Sequence, residues 1–153
     1  MTITTRGLLG ALPPEARDLL TELGHGVSFP AGTRIFEEGR RADRFWVISS
    51  GSVALDLHVP GRRAAQVETL GPGDLLGCSW LFAPYTWHLG AQSRNLVTAE
   101  EYDAAAVRAL CEADPALGFA VARRVAEIVT QRLQGTRTRL LDLYGPQGSG
   151  GRR

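Results

Sequence analysis

Cysteine is scarce in this chain: Cys78 and Cys111 are the only two. Two thiols give no disulfide framework and no metal-ligand spacing. An iron–sulfur centre would need a cysteine cluster, and there is none. A reducing cytoplasm is the expected setting. The three histidines, His25, His58 and His88, are scattered without ligand spacing, so no metal is expected. No apolar run approaches the roughly 20 residues a membrane span requires. The start, Met1-Thr2-Ile3-Thr4-Thr5-Arg6, lacks the charged-then-apolar order of a signal peptide. A net charge of +1 exerts no global pull towards nucleic acid or a membrane surface. There is no nucleophile elbow, no pair of catalytic carboxylates and no P-loop. No residue set for catalysis is visible, and an enzyme is not expected.

What is present is ordinary in amount and distinctive in order. The chain has 153 residues, 44% hydrophobic and 22% charged, enough for one domain with one core. It is organised around Leu70-Gly71-Pro72-Gly73-Asp74-Leu75-Leu76-Gly77-Cys78-Ser79-Trp80-Leu81-Phe82. Gly71-Pro72-Gly73-Asp74 reads as a tight turn, with proline presetting φ and glycine accepting a positive one. Gly77 is a second break, followed by residues for one helical turn whose backbone N–H groups would face an anion. Cys78 would sit at that turn, where a thiol pKa can fall; a redox or haem-ligand role is conceivable, but a small buried hydrophobe is the expected one.

Before this stretch, Pro14, Glu15 and a terminating Gly24 mark a short helix with Ala16, Leu19, Leu20 and Leu23 on one face. From Gly26 to Thr98 short β-runs alternate with glycine turns. Phe45 to Ser49 is the most β-prone, and Val53, Leu55, Leu57 and Val59 alternate as a half-buried strand does. Trp87 to Ala91 and Asn95 to Thr98 supply two more. About eight such strands predict a small barrel or jelly roll over about 25–99.

Helix follows. Asp103 is placed as the N-cap of a short helix to Cys111. Asp114-Pro115 opens a second, with Asp at N-cap and Pro at N1, running to about Tyr144 where Gly145-Pro146 ends it. Thirty residues span about 45 Å, beyond the reach of a small β-roll. Leu117, Val121, Val125 and Ile128 make a face for the β-scaffold. Ala122, Ala126, Val129, Leu133, Thr136, Leu140 and Leu143 recur at heptad steps, the pattern of a helix pairing with another helix. A homodimer is therefore expected. Gly135 beside Thr136 suggests a close backbone approach, a ligand, or a weak turn. Arg123, Arg124, Arg132, Arg137 and Arg139 read as a solvated face paired with Glu127 and Asp142. Residues 145–153 read as a flexible tail.

The order of Gly32, Gly39, Ile48-Ser49-Ser50-Gly51-Ser52-Val53, Gly71-Pro72-Gly73-Asp74-Leu75-Leu76-Gly77 and Arg132-Leu133-Gln134 leading to Thr136 resembles the cyclic-nucleotide-binding domain of catabolite-activator-type regulators. The resemblance covers 10–144. It implies a mainly β, eight-stranded jelly roll with a long C-terminal helix, and a ligand pocket at Leu76, Gly77, Cys78, Ser79, Tyr85, Thr86, Trp87 and Thr136. In the family a glutamate after the glycine accepts from the ribose 2′-hydroxyl, and an arginine neutralises the cyclic phosphate. Here Cys78 takes the glutamate position, Tyr85-Thr86-Trp87 takes the arginine segment, and no arginine lies between Arg63 and Arg94. A phosphate would then have only neutral backbone donors, roughly half as strong as charge-assisted ones.

Three functions follow from these residues. One is a non-catalytic regulatory sensor that takes a nucleotide-like but nonstandard ligand and acts through a protein partner. Another is a ligand-free adaptor in which Trp80, Tyr85 and Trp87 fill the pocket. The last is a true cyclic AMP binder. The family's helix-turn-helix follows the long helix, and the chain ends near Gly145 without one, so DNA is not an expected partner.

Overall fold

The computed structural model describes residues 7–150, with side chains placed for all of these except Ala11 and 144–150. The expectation of no leader at Met1 to Arg6, and the tail at 151–153, lie outside the described residues.

A single 3-10 turn, Leu9–Ala11, leads into α1, Pro14–Leu23. Proline opens the helix as expected. Only Ala16 and Leu20 of its four apolar residues are buried; Leu19 and Leu23 face outwards. Gly24 caps α1 in an extended conformation, and its reason is contact: a Cβ there would stand 2.9 Å from the Tyr102 ring.

Eight strands follow: β1 His25–Phe29, β2 Arg34–Phe36, β3 Arg44–Ser50, β4 Val53–Leu57, β5 Ala65–Leu70, β6 Leu75–Leu76, β7 Gly90–Ser93 and β8 Val97–Asp103. They form two antiparallel four-stranded sheets, ordered β1-β8-β3-β6 and β2-β7-β4-β5. Apart from the β4–β5 hairpin, consecutive strands alternate between the sheets in this jelly roll, which stays open at its edges and does not close into a barrel. In β4 the alternation buries Val53 and Leu55, while Leu57 is exposed past a register shift between Leu55 and Asp56. The strand expected at Trp87 to Ala91 starts only at Gly90, because Trp87 is held elsewhere: its N–H donates to the Arg40 carbonyl and its own carbonyl accepts from Gly39. β6 is two residues inside the organising stretch, too short for alternation to reveal.

The core is aromatic. Phe45 stacks between Trp80 and Tyr102, and Phe36 stacks on Trp87 at 3.9 Å. α2, Ala104–Ala113, begins where Asp103 accepts from the Ala106 N–H. α3 begins at Pro115, with Asp114 accepting from the Leu117 N–H. It buries Leu117, Val121, Val125 and Ile128, the face expected for the scaffold. It continues through Gly145-Pro146 to Gly150, a span of about 54 Å, beyond the break expected there.

Candidate functional site

The turn that presents the site is built as its residues dictate. The Asp74 N–H donates to the Gly71 carbonyl at 3.0 Å, Gly73 sits at φ 87°, and the Asp74 carboxylate accepts from the Gly71 N–H. The turn hooks onto β3 through a reciprocal pair, Gly73 N–H to the Ile48 carbonyl and Ile48 N–H to the Asp74 carbonyl. Asp74 is thus a turn residue. The chain then runs through β6 to Gly77 at φ 101° and one 3-10 turn, Ser79–Leu81. Trp80 is wholly buried under that turn and donates its Nε1–H to the Gly77 carbonyl.

Between this segment, the inner face of β4 and β5, and α3 lies a cavity of about 360 Å³, within the size range of small-molecule sites. Gly77, Cys78, Ser79, Trp87 and Thr136 line it, as the family resemblance leads one to expect. Leu76, Tyr85 and Thr86 do not. Leu76 is fully buried in the core. Tyr85 sits at φ 60° with its ring under the Arg108 guanidinium, 4.3 Å away, and Thr86 pairs with Arg41. Arg108 also donates to the Trp80 carbonyl at 2.6 Å, so α2 clamps this loop from outside. Within the domain nothing lies within 4 Å of a Cβ at Gly135.

The wall also contains residues that the sequence did not place in the pocket. Phe36, Leu55, Val67 and Leu89 come from the sandwich; Val129 and Leu133 come from α3. Glu68 and Arg132 also line it, so a carboxylate and a guanidinium converge where none was expected. The Arg132 Nε stands 4.0 Å from Glu68 Oε2. Its Nη1 is 3.8 Å from Cys78 Sγ, and its Nη2 donates to the Leu75 carbonyl. Arg132 is therefore no member of a solvated face. One signal was available: Arg132 and Thr136 are four apart, hence on one helix face. Arg123 and Arg124 do pair with Glu127 as expected, at 3.6 and 3.1 Å, but Arg124 is buried, not solvated, and also donates to the Gly7 carbonyl at 2.9 Å. Arg139 bonds the Val67 carbonyl at 2.7 Å.

Cys78 does not have the lowered pKa that a helix start can give. Burial pushes its thiol up, with Arg132 pulling partly back and Glu68 adding to the rise. The turn is a single 3-10 turn with its next N–H groups bonded inwards, Leu81 to Cys78 and Phe82 to Ser79, which leaves little dipole to stabilise a thiolate. His88 hydrogen-bonds Ser79 through Nδ1 at 3.2 Å. Among the described residues no group of His, Cys, Asp or Glu is placed to hold a metal, and no helix is long and apolar enough to cross a membrane.

The second surface of note is the outer face of α3. Ala122, Ala126, Val129, Leu133, Thr136, Leu140 and Leu143 are all exposed. Leu133 is 57% exposed, Leu140 53% and Leu143 58%.

With this geometry in view, the family model for the cyclic nucleotide-binding domain matches residues 26–114. The chain belongs to the cyclic nucleotide-binding domain family. It is 28% identical over 137 residues to the CRP-like cAMP-activated global transcriptional regulator of Mycobacterium tuberculosis, an alignment covering 90% of this chain and 59% of that one. The chain thus spans less than two thirds of the curated relative it matches. Among solved structures, it resembles the N-terminal domain of a transcriptional regulator from Streptomyces coelicolor A3(2), with 25% identity, TM-score 0.70, and 84% and 93% of the two chains covered. It also resembles the Thermus thermophilus catabolite activator protein, with 25% identity, TM-score 0.71, and 89% and 62% covered. The cyclic-nucleotide-binding domain, the jelly roll with its long C-terminal helix and the regulator relationship all agree with the resemblance in the sequence.

Proposed function

We propose that the chain is a non-catalytic regulatory sensor whose cavity takes a small ligand other than an ordinary cyclic nucleotide. It pairs with a second copy through α3 and passes its output to a protein partner. The observation that carries this reading is the cavity itself. It is bounded on one side by the cassette and on the other by α3, so an occupant touches the ligand-binding stretch and the pairing helix together. Val129, Leu133 and Thr136 line the cavity and are also members of the exposed seam. A ligand that alters how α3 lies on the sandwich alters the seam, which is the coupling a sensor needs.

The aromatic residues speak against a filled-in adaptor. Trp80 and Trp87 are spent on Phe45 and Phe36, and the cavity stays open beside them. Cys78 at the glutamate position and the absence of an arginine from 85–87 weigh against cyclic AMP, whereas Arg132 and Glu68, converging in the same cavity, overturn the expectation that it holds no charged anchor. The binding of Arg124 and Arg139 to backbone carbonyls of their own domain supports output through a protein surface and not through DNA.

Calorimetry with cyclic AMP, cyclic GMP and cyclic dinucleotides, alongside a screen of small metabolites, tests the reading. Silence of the cyclic nucleotides with heat from another small molecule supports it. Micromolar binding of cyclic AMP replaces it with the ordinary family ligand, and silence throughout replaces it with the adaptor.

A further inference from the structure

Resting on the sensor reading, we infer that the cavity takes a small monoanion with an apolar body, a carboxylate on an aromatic or branched hydrocarbon, and that Arg132 holds the carboxylate.

The hydrogen bonds of Arg132 are the first ground. Its guanidinium is 19% exposed and stands in the wall of a mostly apolar cavity whose other polar members are Glu68, Ser79, His88 and Thr136. Its two Nη groups face neutral acceptors, the Leu75 carbonyl and the Cys78 sulfur at 3.8 Å. Sulfur is a weak acceptor. The carboxylate of Glu68 is 4.0 Å from Nε, beyond hydrogen-bond range. The guanidinium thus has no carboxylate within hydrogen-bond range, only an ion pair with Glu68 at its outer limit. A ligand carboxylate that displaces the thiol from Nη1 supplies a hydrogen-bonded counter-charge in place of a weak sulfur acceptor. The planar fork of the guanidinium suits a carboxylate better than a single acceptor.

The apolar part of the wall defines the body of the ligand. Phe36, Leu55, Val67, Leu89, Val129 and Leu133 offer hydrocarbon and no hydrogen bonds, and Ser79 and His88 are bonded to each other. A base and a ribose would bring many donors and acceptors, and burying them unpaired is costly. The Thr136 hydroxyl, the polar group placed to meet a base, donates to the Arg132 carbonyl of its own helix. The Trp87 ring packs on Gly77, with Cη2 2.8 Å from where a Cβ would stand, so the glycine is covered by aromatic carbon. Glu68 sets the charge limit. One carboxylate already faces Arg132, and a dianion would be repelled by it.

The inference also gives the sensor its lever. Arg132 precedes Leu133 in α3, so a ligand anchored on the guanidinium pulls on the helix at the seam.

The test titrates the full chain with 4-phenylbutanoate, its neutral amide and cyclic AMP, read by calorimetry and by intrinsic tryptophan fluorescence, to which Trp87 in the cavity wall contributes. We expect the acid to bind and to quench, and the amide to bind at least about tenfold more weakly, the loss of one charge-assisted contact. Arg132→Met should abolish the preference for the acid, with its circular dichroism checked against the parent. Glu68→Gln should bind the acid several-fold more tightly, an effect that a purely structural role for Glu68 would not produce. Equal binding of acid and amide overturns the inference, as does an undiminished preference in folded Arg132→Met. Binding of cyclic AMP alone overturns the ligand class proposed here while leaving a sensing domain in place. Silence of all three, with the metabolite screen also silent, overturns the sensor reading itself.

Discussion

The sulfur of Cys78 and Nη1 of Arg132 stand 3.8 Å apart across 54 residues of sequence, joining the segment after β6 to α3. Burial outweighs the guanidinium and raises the thiol pKa, so the neutral thiol is the native form. A redox or haem-ligand role, which requires thiolate character, is correspondingly disfavoured. Iodoacetamide should alkylate Cys78 of the folded chain much more slowly at pH 8 than in denaturant, followed by peptide mass mapping. Arg132→Met should slow it further, because the one group that lowers the pKa is removed. The sign for stability follows from the same rise: the contribution is complete below the ordinary thiol pKa and is lost as pH climbs through the folded-state value.

Gly77 offers a sharper test of the site's construction. Its φ of 101° disfavours any L side chain, and a Cβ would stand 2.8 Å from Trp87 Cη2. Gly77→Ala should therefore cost about 1–3 kcal/mol in chemical denaturation. Adding Trp87→Phe should not restore all of it, since the smaller ring relieves the contact and leaves the backbone strain. Full recovery in the double variant would assign the cost to crowding alone.

The legible parts of this chain were those fixed by local chemistry. Proline and glycine marked the 71–74 turn, Asp103 and Asp114-Pro115 marked both helix starts, and a heptad step separated two faces of α3. The family order of glycines then identified the jelly roll. What stayed hidden depended on tertiary direction. Arg132 looked like its neighbours Arg123 and Arg137, because charge alone does not say whether a side chain crosses the helix towards a cavity. Glu68 sat in an unremarkable strand. Tyr85 fell inside the aligned cassette, yet a positive φ and Arg108 turned it away from the pocket. The strand expected to begin at Trp87 was displaced because Trp87 paired with 39–40, a contact between segments that no periodicity encodes.

Tyr102 predicts an alkaline signature unrelated to the ligand. Its phenol lies in the core beside Phe45, and burial, aided by Glu100, pushes its pKa up from 10.0 to about 12. The raised value means that the neutral phenol stabilises the fold below pH 10, and that this contribution falls away between about pH 10 and 12. Its upper bound is about 2–3 kcal/mol at 1.36 kcal/mol per pH unit. Tyr102→Phe should flatten the decline of denaturation midpoint over that interval while leaving the midpoint at neutral pH changed by less than about 1.5 kcal/mol. An unchanged alkaline slope would place the cause in other groups.

The exposed seam of α3 makes the proposed dimer separable from the fold. Leu140 and Leu143 are more than half exposed, whereas Val121 and Val125 are fully buried. Replacing an exposed leucine in a monomer changes stability by about 0.5 kcal/mol or less. Replacing one that is buried in a paired helix forfeits about 1.5–3 kcal/mol of burial and adds a charge to an apolar interface. Leu140→Asp and Leu143→Asp should each weaken association by an order of magnitude or more in sedimentation equilibrium, with the circular dichroism of the sandwich intact. The parent chain should melt at a temperature that rises with concentration, and the double variant should not. A parent chain that sediments as a monomer at high concentration would remove the pairing, and with it the route by which a ligand on α3 reaches a second subunit.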